Sequence, residues 1–159
     1  MNYLLGICSR EEAALFRNSR DYDDFLRMLL KARDRFKVSI FAFCLMPEYA
    51  KFIVHSEFIN VSSDFLLCLA KDYATRNIIK KREIKNKFPL KASQGCLKND
   101  WQLFHEIKKI EFEPVQAGFV LLPAHYRYSS AFYRIRNDFP MVNEHAPSGS
   151  ELSFCHGLN

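Results

Sequence analysis

Apolar positions along this chain recur in two alternating periods, and the changes between them mark out the elements. Tyr3 to Cys8 is a short apolar run that predicts a first strand. Phe25, Met28, Leu29 and Ala32 then return every three or four residues, which predicts a helix from about Arg20 to Phe36 capped by Asn18 or Ser19. Lys37 to Met46 is rich in β-branched and aromatic residues, Met46-Pro47-Glu48 interrupts it, and Tyr49 to His55 resumes the extended pattern. These two runs predict an antiparallel pair. Phe65, Leu66, Leu69, Tyr73 and Ile78 make the stripe of a second helix, with Ser62 or Ser63 as its expected cap. Phe88 to Leu97 reads as a short strand or ribbon. Asn99 or Asp100 caps a third helix through Trp101, Phe104, Ile107 and Lys108, and Pro114 is expected to end it. Ala146 to Asn159 has turn residues and no period, so it reads as a tail.

The order strand, helix, strand, strand, helix, strand, helix predicts an α+β fold of the ferredoxin-like kind, an antiparallel sheet with packed helices. A single domain is expected over residues 1–139, with 140–159 as a C-terminal extension. The 159 residues are enough for one core and too few for two. Fifteen Phe and seven Tyr supply much of that core, since buried aromatics contribute large areas.

Charge adds a partner class. The formal charge is +5, and it is unevenly spread: nine bases face only two acids between Lys71 and Lys98. Such a cluster suits phosphate contact, and it equally suits a solvated helix face. The five cysteines show no C-x-x-C pair, so reduced, structural thiols and a cytoplasmic location are expected. The N-terminus lacks a signal-peptide pattern, and no run of about 18 apolar residues predicts a membrane span.

Three blocks carry a resemblance. Phe41 to Val54 reads FAFCLMPEYAKFIV, Phe112 to Leu121 reads FEPVQAGFVL, and Tyr126 to Ser130 reads YRYSS. In this order they resemble the HUH single-tyrosine transposases, especially the REP-associated branch, whose blocks are close to A-x-C-L-M-P-N-H-x-H, N-P-V-x-A-G and Y-R-W-S-S. Tyr22 to Leu30 is similar to the family's acidic-aromatic first helix, and Tyr73 to Asn77 falls where members have an aromatic helix ending in Asn. The likeness spans roughly Tyr3 to Arg134. It implies a DNA transposase fold, a divalent metal such as magnesium, and a partner that is single-stranded or hairpin DNA.

The departures fall on the chemistry. The two metal-binding His positions are Tyr49 and Lys51, the nucleophilic Tyr position is Lys109, and the Asn of N-P-V is Glu113. In the family two neutral imidazoles at i and i+2 of a strand hold a cation that polarises the scissile phosphate. A tyrosine hydroxyl then attacks it. A charged Lys51 has no lone pair to offer, and a phenol with a reference pKa near 10 is a poor ligand. Lys109 cannot form a phosphotyrosine. No catalytic residue, metal or other cofactor is therefore expected.

Lys51 is expected beside Tyr49 and facing Lys109, the pair either holding a DNA phosphate or drifting to solvent. Phosphate contacts are assigned to Lys80, Lys81, Arg82, Lys85, Lys91 and Arg127. Phe88, Trp101, Tyr126 and Tyr128 are candidates for stacking on unpaired bases, with burial as the alternative for Trp101 and Tyr126. His55 and His105 suit surface or hydrogen-bonded roles, Tyr73 and Cys44 suit core positions. The expected function is an inactive, transposase-like DNA-binding protein with no membrane partner; a homodimer is allowed. The alternatives are an active transposase using substitute residues and a protein-interaction module.

Overall fold

The computed structural model describes residues 1–9, 14–81 and 90–136, with the backbone alone from 77 to 81. Strand β1 (Asn2–Ser9) leads through helix α1 (Ser19–Phe36) to the hairpin of β2 (Ser39–Met46) and β3 (Tyr49–His55). Helix α2 (Ile59–Lys81), strand β4 (Leu90–Leu97), helix α3 (Asp100–Gln116), a 3₁₀ turn (Pro123–His125) and helix α4 (Ser130–Arg136) follow. The sheet is antiparallel in the order β2-β3-β1-β4, the ferredoxin-like arrangement.

Strand alternation separates two cores. Tyr3, Leu5, Ile7, Phe43, Leu45, Phe52 and Val54 pack with Phe25, Leu29, Phe65, Leu69 and Tyr73 of α1 and α2. Ala42, Cys44, Met46 and Ile53 point the other way, against Leu103 and Ile110 of α3. A bulge between Ile40 and Ala42 places both Phe41 and Ala42 on this second face. Tyr73 is core, its hydroxyl donating to the Leu15 carbonyl at 2.7 Å.

Asp24, buried on α1, joins the helices of the first layer. It accepts from Arg27 on its own helix and from Arg76 of α2 at 2.8 and 3.0 Å. A carboxylate taken out of water needs such charged partners.

The outer edge of β2 is sealed by the segment that begins with YRYSS. Leu45 N–H donates to Tyr128 O at 2.9 Å, Phe43 N–H donates to Ser130 Oγ at 3.1 Å, and Arg134 donates to Phe41 O at 2.8 Å. Tyr126 hydroxyl donates to Leu45 O at 2.8 Å. These bonds fill the alternate, outward-pointing backbone groups that an edge strand would leave bare.

Two expected boundaries are corrected. Helix α2 starts at Ile59, and Ser62 and Ser63 are not its caps: their hydroxyls donate back to the Ile59 carbonyl at 2.8 and 3.0 Å. Pro114 does not end α3, which runs on to Gln116. The stop is supplied by Gly118 at φ +76°, with Phe119 N–H donating to Pro114 O and Gly118 N–H to Val115 O. That is a Schellman motif with glycine in its left-handed position, which accounts for the A-G of the FEPVQAG block. Asn18 and Asn99 cap α1 and α3 as the pattern predicts, each side chain accepting from the N–H three residues on. The 140–159 extension lies outside the described residues.

Gly118→Ala meets no neighbouring atom, so its penalty is conformational alone. It should lower stability by about 1 kcal/mol, a fall of about 2–4 °C in the thermal midpoint, readable by circular dichroism.

A candidate nucleic-acid site on the α3 face

The pleat of β3 turns Tyr49 and Lys51 toward α3. The register sets them in rows across the sheet. Cys44, Lys51, Gly6 and Ser93 form one row, and Met46, Tyr49, Cys8 and Lys91 form the next. Gly6 keeps the first row flat: a Cβ there would meet Ser93 Oγ at 2.7 Å. Beyond β1, among the described residues, the face is open, because β4 is exposed from Lys91 to Cys96.

Lys51 does not meet Lys109, which corrects that expectation. Its ammonium pairs with the carboxylate of Glu113, one helical turn further along α3, while Lys109 turns outward to Glu106 at 3.3 Å. Glu113 is 8% exposed. Its Oε1 accepts from Lys51, and its Oε2 is buried without a hydrogen-bond partner among the described residues. The same ammonium lies 4.7 Å from the centre of the Tyr49 ring. Burial first, and then the Glu113 charge, push the Tyr49 phenol well above its ordinary pKa, so it stays protonated. Burial does the same to the Cys44 thiol below it.

The remaining candidates are scattered. Lys91 is exposed on the open half of this face, in the row of Tyr49. Arg127 is exposed at the far end of β2, 3.6 Å from Asp23 and over the Tyr128 ring. Lys80 and Lys81 belong to the last turn of α2, and Arg82, Lys85 and Phe88 lie outside the described residues. Tyr126 and Tyr128 are packing residues: Tyr128 stacks on Tyr22 at 4.1 Å, and Tyr126 is held by Leu45. Trp101 is 72% exposed and stacks on His105. His55 bonds Asn2 at 2.9 Å.

By sequence alone the chain matches no family model and no curated protein. By structure it resembles a REP-associated tyrosine transposase bound to a REP hairpin, with a TM-score of 0.66 and 13% identity over 94% of this chain and 88% of that one. The fold is that of a tyrosine transposase. A Deinococcus radiodurans R1 protein described as a transposase is similar over less of the chain, with a TM-score of 0.50 and 14% identity over 69% of this chain and 89% of that one.

The residues present do not fit the divalent metal that the resemblance implies. An ammonium and a neutral phenol stand at Lys51 and Tyr49, and the Glu113 carboxylate beside them is already paired with the ammonium. Among the described residues no three His, Cys, Asp or Glu side chains come together as a metal site. Sequence reasoning found both departures, Lys51 and Glu113, without joining them. The signal that could have joined them was their opposite charge at two positions of one site.

Removing one partner strands the other under α3. Glu113→Gln and Lys51→Met should each destabilise by about 1–3 kcal/mol, at the low end for Glu113→Gln because the lysine it strands is partly solvated. Lys51→Met with Glu113→Leu should lose less than the sum, and chemical denaturation of all four proteins measures that coupling.

Tyr22, Tyr49 and Tyr126, like Cys44, have raised pKa values, burial being the first cause in each. The folded chain therefore keeps protons that the unfolded chain releases above about pH 9–10. In that range the folded state binds more protons, so stability falls with rising pH. Urea midpoints should be level from about pH 7 to 8.5 and drop beyond about pH 9.5.

Proposed function

We propose that this chain is a transposase-derived DNA-binding protein that holds structured single-stranded DNA without cutting it. The observation that carries this reading is the Lys51–Glu113 ion pair, since the resemblance would need neutral imidazoles and an open coordination position there for cleavage. Lys109 at the nucleophile position offers no hydroxyl for a phosphotyrosine. The ligand class is supported by the fold, shared with a transposase solved on a REP hairpin. Phosphates would be met by Lys80, Lys81, Arg82, Lys85, Lys91 and Arg127, without a metal or other cofactor. Among the described residues no helix is long and apolar enough to cross a membrane. Phe119, Leu121 and Leu122, exposed beyond α3, favour a second reading as a protein-interaction module.

A labelled DNA hairpin with an unpaired flank, titrated across a salt series, separates the two. DNA binding should weaken with salt, and charge reversal at Lys80, Lys81, Lys85 and Lys91 should flatten the log–log slope by about 0.7 per lost contact. Unchanged affinity and slope would discard these residues, and absence of binding would favour the protein-interaction reading. With magnesium or manganese present, denaturing gels should show no nicked strand and no covalent adduct; either product would overturn the inactive reading.

A further inference from the structure

Of the described stacking candidates, one is not used by the fold. Trp101 is exposed on the first turn of α3, its ring parallel to His105 with centroids 5.3 Å apart and planes 7° apart. Lys108 and Phe112 continue the same line, since steps of four, three and four residues stay on one face of a helix. All four are exposed, Phe112 at 47%. This face looks away from the sheet, opposite buried Leu103 and Ile110. Its far half borders a cleft of about 590 Å³ whose lining includes His105, Lys108, Lys109 and Phe112, with one acid, Glu111, that is paired with Arg134.

A soluble helix usually turns charged and small polar residues to water. Here the outward stripe is aromatic, imidazole, ammonium, aromatic, running about 16 Å along the axis. Flat rings interleaved with cations match a polymer of flat rings joined by anions. The three glutamates of α3 are each held by a base: Glu106 by Lys109, Glu111 by Arg134 and Glu113 by Lys51. The helix therefore does not present a row of unmatched carboxylates to a polyanion.

We propose that the outward face of α3 is a binding strip for unpaired nucleotides, with bases stacking on Trp101 and Phe112 and the backbone phosphates meeting Lys108. This rests on the DNA-binding reading and adds to it a strip on the side of α3 opposite the buried Leu103 and Ile110. His105 backs the Trp101 ring and holds it flat, so the platform is formed before a base arrives.

Trp101 is the single tryptophan of the chain, so its emission reports this strip alone. A labelled hairpin carrying an unpaired flank is added while anisotropy follows total binding and tryptophan emission follows the strip. Both signals should saturate together, and an abasic flank should bind without the quench. Trp101→Ala should weaken the flanked hairpin by about fivefold to a hundredfold, without moving the thermal midpoint, because the side chain lies outside the core. Lys108→Gln should lower the salt slope by about 0.7. Binding by anisotropy with unaltered emission and full affinity of Trp101→Ala would overturn the strip and leave the DNA-binding reading standing. A quench that persists with the abasic flank would overturn base stacking. Absence of binding by either signal would overturn both readings. Emission that changes with protein concentration and without DNA would overturn the strip in favour of self-association.

Discussion

Strand β3 alternates its side chains, and the placement of everything else follows from that alternation. Ala50, Phe52 and Val54 enter the core beneath α1 and α2, so Tyr49, Lys51 and Ile53 must face α3. Shifting the register by one residue would bury a lysine among phenylalanines. With the register fixed, the ammonium of Lys51 sits beneath a helix, partly withdrawn from water. There it meets Glu113 from the last turns of α3, a buried carboxylate that needs a positive partner. One pleated strand thus decides where α3 must present an acid and which residues are left to look outward.

Much of the architecture was legible because it depends on local patterning. The period of Phe25, Met28, Leu29 and Ala32 is that of α1, and the Met46-Pro47-Glu48 break is the β2–β3 turn. Boundaries were misread where a residue's usual role was overridden by its neighbours. Ser62 and Ser63 satisfy the Ile59 carbonyl instead of the first amides, and Pro114 is accommodated where the last turn is closed by Gly118. The Lys51–Glu113 pair joins residues 62 positions apart, and no periodicity carries a contact of that range. The exposure of Trp101 was likewise closed to sequence reading, because an aromatic at helical spacing looks the same whether the stripe faces in or out.

The shared YRYSS block takes its meaning from packing rather than chemistry. Tyr126, Tyr128 and Ser130 bond the backbone of β2, and Arg127 is the member that points away. These residues answer to the fold, since each bond fills a backbone group at the rim of the sheet. The candidate site and the scaffold are therefore built from different groups: Tyr49, Lys51 and Glu113 meet beneath α3, while Tyr126, Tyr128 and Ser130 close the sheet.

That closure governs what strand pairing can build. The sheet has two rims, β2 and β4, and the first is occupied by the chain's own segment. Among the described residues only the β4 rim is left for another strand. A molecule with a single sticky rim is monovalent for sheet growth. If two copies joined there, β4 against β4, the union would have a two-fold axis and no rim remaining, so it would stop at two. The same short contacts that hold Tyr126 and Ser130 in place thereby make this chain a poor monomer for any open-ended fibre.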